Sequence, residues 1–377
     1  MIELTSNHAP MPAALLDAQG GFAWWYVDIV DPDGNGAVVI WSFGLPFLPG
    51  YTSAARRGQA PPARALPSLN VVLYRAGKPW FYLLQTYDPR LCEAGPGDTH
   101  WRFADTRITH QRDGNASALL IELDCPIPRS NDRLVGTVAL RAARRVPSAS
   151  EVTASADLHH WSPQLAGGIG EADVRAGTEH FSCRGSAYHD RNGSPHHIDG
   201  LGIRDWFWGR VRTHDRTHIL YWLRANDPAT SDRVIGVEID DDGATRTFAP
   251  RVVATSRGRD RYGVGYPCTL VATRDGAPWM EIARERTVDR GPFYLRQLAT
   301  FTLIGGASHR GWTEVVVPGR VDLARHRALV RMRVHSLTAR NSWWLPLFSG
   351  PQRGRWSRLV GASRGARAAL PSAEAAR

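Results

Sequence analysis

From Phe22 onward the chain settles into a repeating pattern of strand-forming runs separated by turn residues. Phe22-Ala23-Trp24-Trp25-Tyr26-Val27-Asp28-Ile29-Val30 is β-branched and aromatic, Asp31-Pro32-Asp33-Gly34-Asn35-Gly36 interrupts it, and residues 37–43 return with the same character. Such runs on either side of a Gly/Pro/Asn/Asp cluster predict a hairpin. Residues 68–74 and 79–87 repeat it around Arg75-Ala76-Gly77-Lys78, and residues 99–108 and 118–125 around Arg112-Asp113-Gly114-Asn115. Residues 133–144 and 151–157 extend the series. A second series covers residues 218–224, 234–240, 245–250, 269–273, 278–284 and 311–320. Short strands at this spacing predict a sandwich or barrel. Residues 293–303, 322–333 and 341–348 fit neither strand nor helix period cleanly. Residues 1–20 read as an irregular lead-in, 45–66 as a long loop of the kind that forms lids or mouths, and 349–377 as a basic flexible tail. Long amphipathic helical patterns are scarce, so the fold class is all-β with few short helices.

Composition adds three constraints. A chain of 377 residues points to two domains, and 43% hydrophobic with 22% charged residues points to packed cores. Fourteen tryptophans suggest ring-lined space as well as core, because a buried indole N–H wants a partner. The net charge of +10 is carried almost entirely by arginine, Lys78 being the one lysine. A basic surface suits nucleic acid or anionic lipid, but no zinc-finger, helix-turn-helix or RNP-like pattern accompanies it, so no nucleic-acid partner is expected. Cys92, Cys125, Cys183 and Cys268 lie far apart and read as thiols in a reducing compartment. Neither a secretory pattern nor an apolar run near 18 residues is visible, so a cytoplasmic location is expected.

The densest chemistry lies in residues 185–210. Tyr188 and Asp190 precede Asn192-Gly193, a turn signal, and their i, i+2 spacing puts both on one face of a strand ending there. An acid aimed into an aromatic cavity has its pKa raised by desolvation and can donate a proton near neutral pH; the competing reading is an Asp that caps a turn. Upstream, His159-His160-Trp161 offers a histidine to orient an acid and an indole to face a cation, against a surface histidine beside a core tryptophan. Trp206 and Trp208 share a face, as core or as a wall for a long apolar ligand. Asp28, an acid in an aromatic strand, reads equally as lumen-facing or as buried with a partner. The histidines, His196 and His197 included, match no common zinc spacing, so no metal is expected. No serine-nucleophile elbow, P-loop or dinucleotide fingerprint is present in context.

In order, Trp24-Trp25-Tyr26-Val27-Asp28, Ser68-Leu69-Asn70-Val71-Val72-Leu73-Tyr74, Tyr188-x-Asp190-x-Asn192, Trp206-x-Trp208-Gly209-Arg210 and Pro292-Phe293-Tyr294 resemble the carotenoid 1,2-hydratase (hydroxyneurosporene synthase) family and its lipocalin-like relatives, over roughly residues 20–300. The resemblance implies two lipocalin-like β-barrel domains, taken as residues 12–195 and 196–348 ahead of the 349–377 tail. It also implies a cofactor-independent lyase of carotenoid biosynthesis, adding water to the terminal C1–C2 double bond of an acyclic carotenoid. The family's acid is matched by Asp190, with Tyr188 two residues before it, and its His-x-Trp pair by His159 and Trp161. Trp206, Trp208, Trp25 and Asn192 are the expected substrate contacts. The chain departs from the family in joining Asn192 directly to Gly193 and in having Trp206-Phe207-Trp208 where Trp-Asp-Trp is commoner. The rival functions are a hydratase or cyclase of the same fold for another terpenoid or polyketide, and a non-catalytic binder of an apolar ligand. A membrane-dissolved substrate implies peripheral membrane contact.

Overall fold

The computed structural model describes residues 2–4, 11–113, 116–142, 159–241 and 243–365. Two sheets carry nearly all of it, antiparallel except where Val334–Ser336 and Ile2–Leu4 pair in parallel. The first runs, in hydrogen-bonded order, through Val334–Ser336, Lys78–Thr86, Pro67–Arg75, Gly36–Phe43, Phe22–Val30, Glu179–Ser194, His159–Ala176, Arg133–Ala142, Ala116–Pro126, Thr106–Asp113, His100–Phe103 and Cys92–Ala94. Gly350–Pro351 also pairs with Lys78–Thr86, and Ile2–Leu4 with His159–Ala176. The second runs through Thr245–Phe248, Arg233–Asp240, Arg216–Ala225, Ile203–Arg212, Ser308–Val316, Tyr294–Leu303, Ala277–Arg290, Gly265–Arg274 and Arg251–Arg259.

The first sheet curls on itself. Trp101, from its far end, packs 5.2 Å from both Trp25 and Trp41 in its middle, and Phe103 lies 5.8 Å from Tyr87 beyond the other edge. That closure makes the first apolar core, with Val27, Ile29, Val39, Val71 and Leu83. A second core lies between the sheets, joining Tyr26, Val38, Val72, Trp161 and Tyr188 to Trp206, Trp208, Tyr221 and Trp312. A third fills the curl of the second sheet around Phe207, Leu220, Leu270 and Phe301. Both faces of the central strands are therefore buried, one in a curl and one against the other sheet. Alternate residues sort between them: Trp25, Val27 and Ile29 inward, and Trp24, Tyr26 and Asp28 toward the interface.

Several expectations change. Asn192-Gly193 is not a turn: the strand continues to Ser194, and Asn192 pairs with Trp161 on one side and Trp24 on the other. A Cβ on Gly193 would fall 2.8 Å from Leu15 and 2.9 Å from Met11, so glycine here serves close packing. Residues 293–303 resolve as the strand Tyr294–Leu303, 322–333 as the helix Ala324–Arg331, and 341–348 as a single 3-10 turn, Leu345–Leu347. The part of the basic tail up to residue 365 is tied down by the Gly350–Pro351 pairing and by the helix Arg355–Gly365. Residues 366–377, and the strand expected over 151–157, lie outside the described residues. Segment 318–351 returns to the first sheet, so the second half of the chain serves both sheets.

Candidate active site

A cleft opens between the two sheets, with about 1390 Å³ of free space counting its mouth. Its wall crosses seven neighbouring strands of the first sheet, from Val334 through Leu84, Asn70, Ile40, Trp24 and Asp190 to Trp161. Six inter-strand steps of roughly 4.8 Å give about 29 Å of wall along the curved sheet. The facing wall is supplied by Trp206, Trp208, Tyr221, Phe293, Tyr294 and Val316. Asp190, Asn192, Trp161 and Tyr221 are buried, whereas Tyr82, Leu84, Arg333, Val334, Phe47 and Phe293 are half-buried. The acid thus sits at the closed end of a long, mostly apolar cleft. From the 45–66 loop, Leu45, Pro46 and Phe47 join the wall.

Alternation along Glu179–Ser194 turns Tyr188, Asp190 and Asn192 to this side. Three neutral donors hold the Asp190 carboxyl: Trp161 Nε1–H at 2.7 Å and Tyr188 O–H at 3.0 Å on Oδ2, and Asn192 Nδ2–H at 3.0 Å on Oδ1. Among the described residues it has no cationic partner. Burial favours the neutral acid and outweighs the Trp161 and Tyr188 hydrogen bonds, which favour the carboxylate, so the pKa is pushed up to about 7. The carboxylates of Glu314 and Asp28 add to the rise. The other two cleft-lining acids have arginines: Glu314 accepts from Arg296 Nε at 3.0 Å, and Asp289 lies 3.5 Å from Arg333.

His159 lies farther from the acid than the sequence suggested. Its ring is fully buried, edge-on to Phe22 and Trp24, and its Nε2–H donates to Asn192 Oδ1 at 3.1 Å. It reaches Asp190 only through the Asn192 amide. Burial lowers its pKa to about 3, so it is a neutral imidazole that orients the amide. Trp161 does both of the things its position allows: its N–H holds the acid, and its ring lines the cleft, edge-on to Tyr221 at 5.3 Å. Trp206 and Trp208 are on the wall. Trp25 is not; it points into the first core, stacked on Trp41 at 6.1 Å, because odd and even positions of Phe22–Val30 face opposite sides. Trp24 and Tyr26 line the cleft in its place. His196 and His197 also lie off the wall, and His197 Nδ1 accepts from Gly200 N–H at 3.1 Å.

Sequence reasoning missed Tyr221, the Arg296–Glu314 pair and the partner of Asp28. That acid is fully buried, and Arg210 of the second sheet reaches it with Nε at 2.9 and 3.0 Å from its two oxygens. The Arg210 guanidinium also lies 5.6 Å from the centre of the Tyr188 ring. Arg210 follows Trp208 at i+2, so alternation puts it on the interface face, but nothing in the sequence ties it to Asp28.

Residues 39–344 match the family model described as "Carotenoid hydratase CrtC". The acyclic carotenoid 1,2-hydratase of Rubrivivax gelatinosus is 29% identical over 304 residues, covering 76% of this chain and 66% of its own length. The hydratase of the same description from Thiocapsa roseopersicina is 27% identical over 297 residues, with the same two coverages. The chain thus spans slightly under two thirds of the length of these relatives. Among solved structures, the crystal structure of a protein described as AttH from Nitrosomonas europaea superposes with a TM-score of 0.56 at 16% identity, over 80% of this chain and 93% of that one. That likeness shows the lipocalin-like fold alone.

Proposed function

The chain belongs to the carotenoid hydratase family, and from that premise we propose that it adds water to the terminal C1–C2 double bond of an acyclic carotenoid, with Asp190 as the acid. The observation that carries the reading is a buried carboxyl held by the neutral donors Trp161, Tyr188 and Asn192 at the closed end of a long, mostly apolar cleft. In this reading an extended polyene enters the cleft end-on, with its terminal double bond at the acid.

In this reading neutral Asp190 transfers its proton to C2, leaving a tertiary cation at C1. Water adds to C1, and the proton released from the resulting oxonium returns to the Asp190 carboxylate. The elements of water are gained, the acid is regenerated, and no electron leaves the substrate. Tyr188, Asn192 and Trp161 keep the carboxyl aimed, while His159 holds Asn192 as a positioning residue. The indole rings of Trp161, Trp206 and Trp208 face the cation; a desolvated cation–π contact is worth about 2 kcal/mol, tens-fold in rate. Neutral His159 places no competing cation beside the carbocation.

The test is incubation with neurosporene or lycopene dispersed in detergent, read by mass as a gain of one water. We expect Asp190→Asn to lower the rate by roughly 10²–10⁴-fold while still binding pigment. Wild-type rates in that variant would remove Asp190 from its role. Pigment bound unchanged by the wild-type chain would favour the non-catalytic binder, and pigment not bound at all would favour another terpenoid or polyketide as substrate.

A further inference from the structure

Charge is distributed very unevenly along this chain. Eleven of its 46 basic and one of its 36 acidic residues lie in 323–377, so residues 1–322 balance and the last 55 residues carry the whole net charge of +10. Between 323 and 365 there are nine arginines and no Asp or Glu. Arg325, Arg327, Arg331, Arg340, Arg353 and Arg355 are exposed.

The same segment holds six of the eleven exposed large apolar side chains among the described residues. Trp343, Trp344 and Trp356 are 47%, 49% and 62% exposed, and Val360 is 61% exposed. Trp356 and Val360 stand one helical turn apart on one side of Arg355–Gly365, and Leu359 is buried on the other. The helix is fastened down: Arg358 donates to the carbonyl oxygens of Ser349 at 3.2 Å and Pro346 at 3.3 Å. Leu323 and Leu337 extend the apolar surface.

This face adjoins the cleft mouth. Val330, Arg333 and Val334 of the segment line the cleft. The 45–66 loop is bound to it through Arg331, which donates to the Pro49 oxygen at 3.2 Å, and to the residue before it through Gly50 N–H and Ser53 N–H donating to Asp322 at 2.6 and 3.1 Å.

We propose that segment 323–365 is a docking surface for an anionic lipid bilayer, holding the cleft mouth against the membrane. Charge complementarity selects the partner. Exposed arginines in a stretch with no acid of its own are drawn to anionic headgroups, and exposed indoles settle at the boundary of headgroups and acyl chains. No helix among the described residues is long and apolar enough to cross a membrane, so the contact is peripheral. Passage of an apolar substrate from the bilayer through the mouth rests on the function proposed above; the docking itself does not.

Sedimentation of the full chain with vesicles of phosphatidylcholine alone, and with an equal mix of phosphatidylcholine and phosphatidylglycerol, tests the proposal without substrate. We expect binding to the mixed vesicles, weakened by salt, with a blue shift of tryptophan emission. Arg353→Gln/Arg355→Gln removes two exposed charges and should weaken binding roughly 25-fold, about fivefold per arginine. Trp344→Ser/Trp356→Ser should weaken it at least as much while hydration of detergent-dispersed pigment is unchanged. Equal binding to both vesicle types overturns the proposal. So does full binding by the tryptophan variant, or a duplex oligonucleotide that binds wild-type and tryptophan variant alike and displaces the vesicles, because either outcome makes the surface a general polyanion site. Loss of hydration with binding intact would count against the catalytic reading alone.

Discussion

Asp28 and Asp190 stand on adjacent strands of one sheet, each paired with the other's aromatic neighbour: Tyr188 opposite Asp28, and Tyr26 opposite Asp190. Both face the second sheet and both are buried. Their surroundings differ in one respect. Asp28 has the guanidinium of Arg210, while Asp190 has an indole, a phenol and an amide. Arg210 ties Asp28 to the second sheet through a charged pair, whereas the neutral donors around Asp190 fix the direction of its carboxyl without adding a charge. Placement alone therefore does not distinguish the two buried acids; the charge of their partners does.

Breaking the ion pair should produce the largest effect. Arg210 and Asp28 are 1% and 0% exposed, so Arg210→Gln leaves a buried, uncompensated carboxylate. Removing one partner of such a pair costs about 3–5 kcal/mol. Urea unfolding should show that loss, and Asp28→Asn/Arg210→Gln should recover much of it because neither charge remains. A double variant no better than the single one would mean that the pair matters for shape rather than charge.

A smaller stability effect, of opposite sign, belongs to Asp190. Its folded pKa of about 7 lies above the ordinary carboxyl value of 3.8, so between those limits the folded chain holds a proton that the unfolded chain has lost. Its contribution falls as pH rises toward 7, and the cost stays in full above it. Asp190→Asn removes this dependence. Relative to wild type the variant should gain on the order of 3 kcal/mol between pH 5 and pH 8, two units at about 1.4 kcal/mol each. The neutral buried histidines His159 and His189 destabilise both proteins alike as pH falls below 6.5, and cancel in the difference. An unchanging difference across that range would mean that folding does not raise the Asp190 pKa.

The two acids also show what the sequence could reveal. Alternation puts Tyr188 and Asp190 on one face and Trp206 with Trp208 on another, because a two-residue period needs no tertiary information. It does not say which face is the cleft when both are buried: Trp24 and Trp25 are equally apolar, and Trp25 belongs to the core. The partner of Asp28 is 182 positions away on another sheet, a contact made only by folding. Asn192-Gly193 carries turn chemistry, yet pairing on both sides keeps it extended. The strand Arg251–Arg259 gave little hydrophobic signal, its side chains being exposed or half-buried along its whole length.

The smallest effect tests the neutral donors themselves. Trp161 and Tyr188 hydrogen bonds stabilise the carboxylate and hold the Asp190 pKa below what burial alone would impose, Trp161 more strongly. Removing either donor should raise that pKa. Because the protonated acid is the active form in the proposed mechanism, hydration falls as pH rises through about 7, and the fall should move to higher pH in Trp161→Phe and less in Tyr188→Phe. The shift should be on the order of one unit in each, since a hydrogen bond to a carboxylate is worth about 1 kcal/mol more than one to the neutral acid. Trp161→Phe should also lose rate on the plateau if its ring faces the cation, whereas Tyr188→Phe should keep most of it. An arginine beside the carboxyl would have the opposite effect, moving the fall to lower pH; the neutral donors around Asp190 hold the acid without adding that charge.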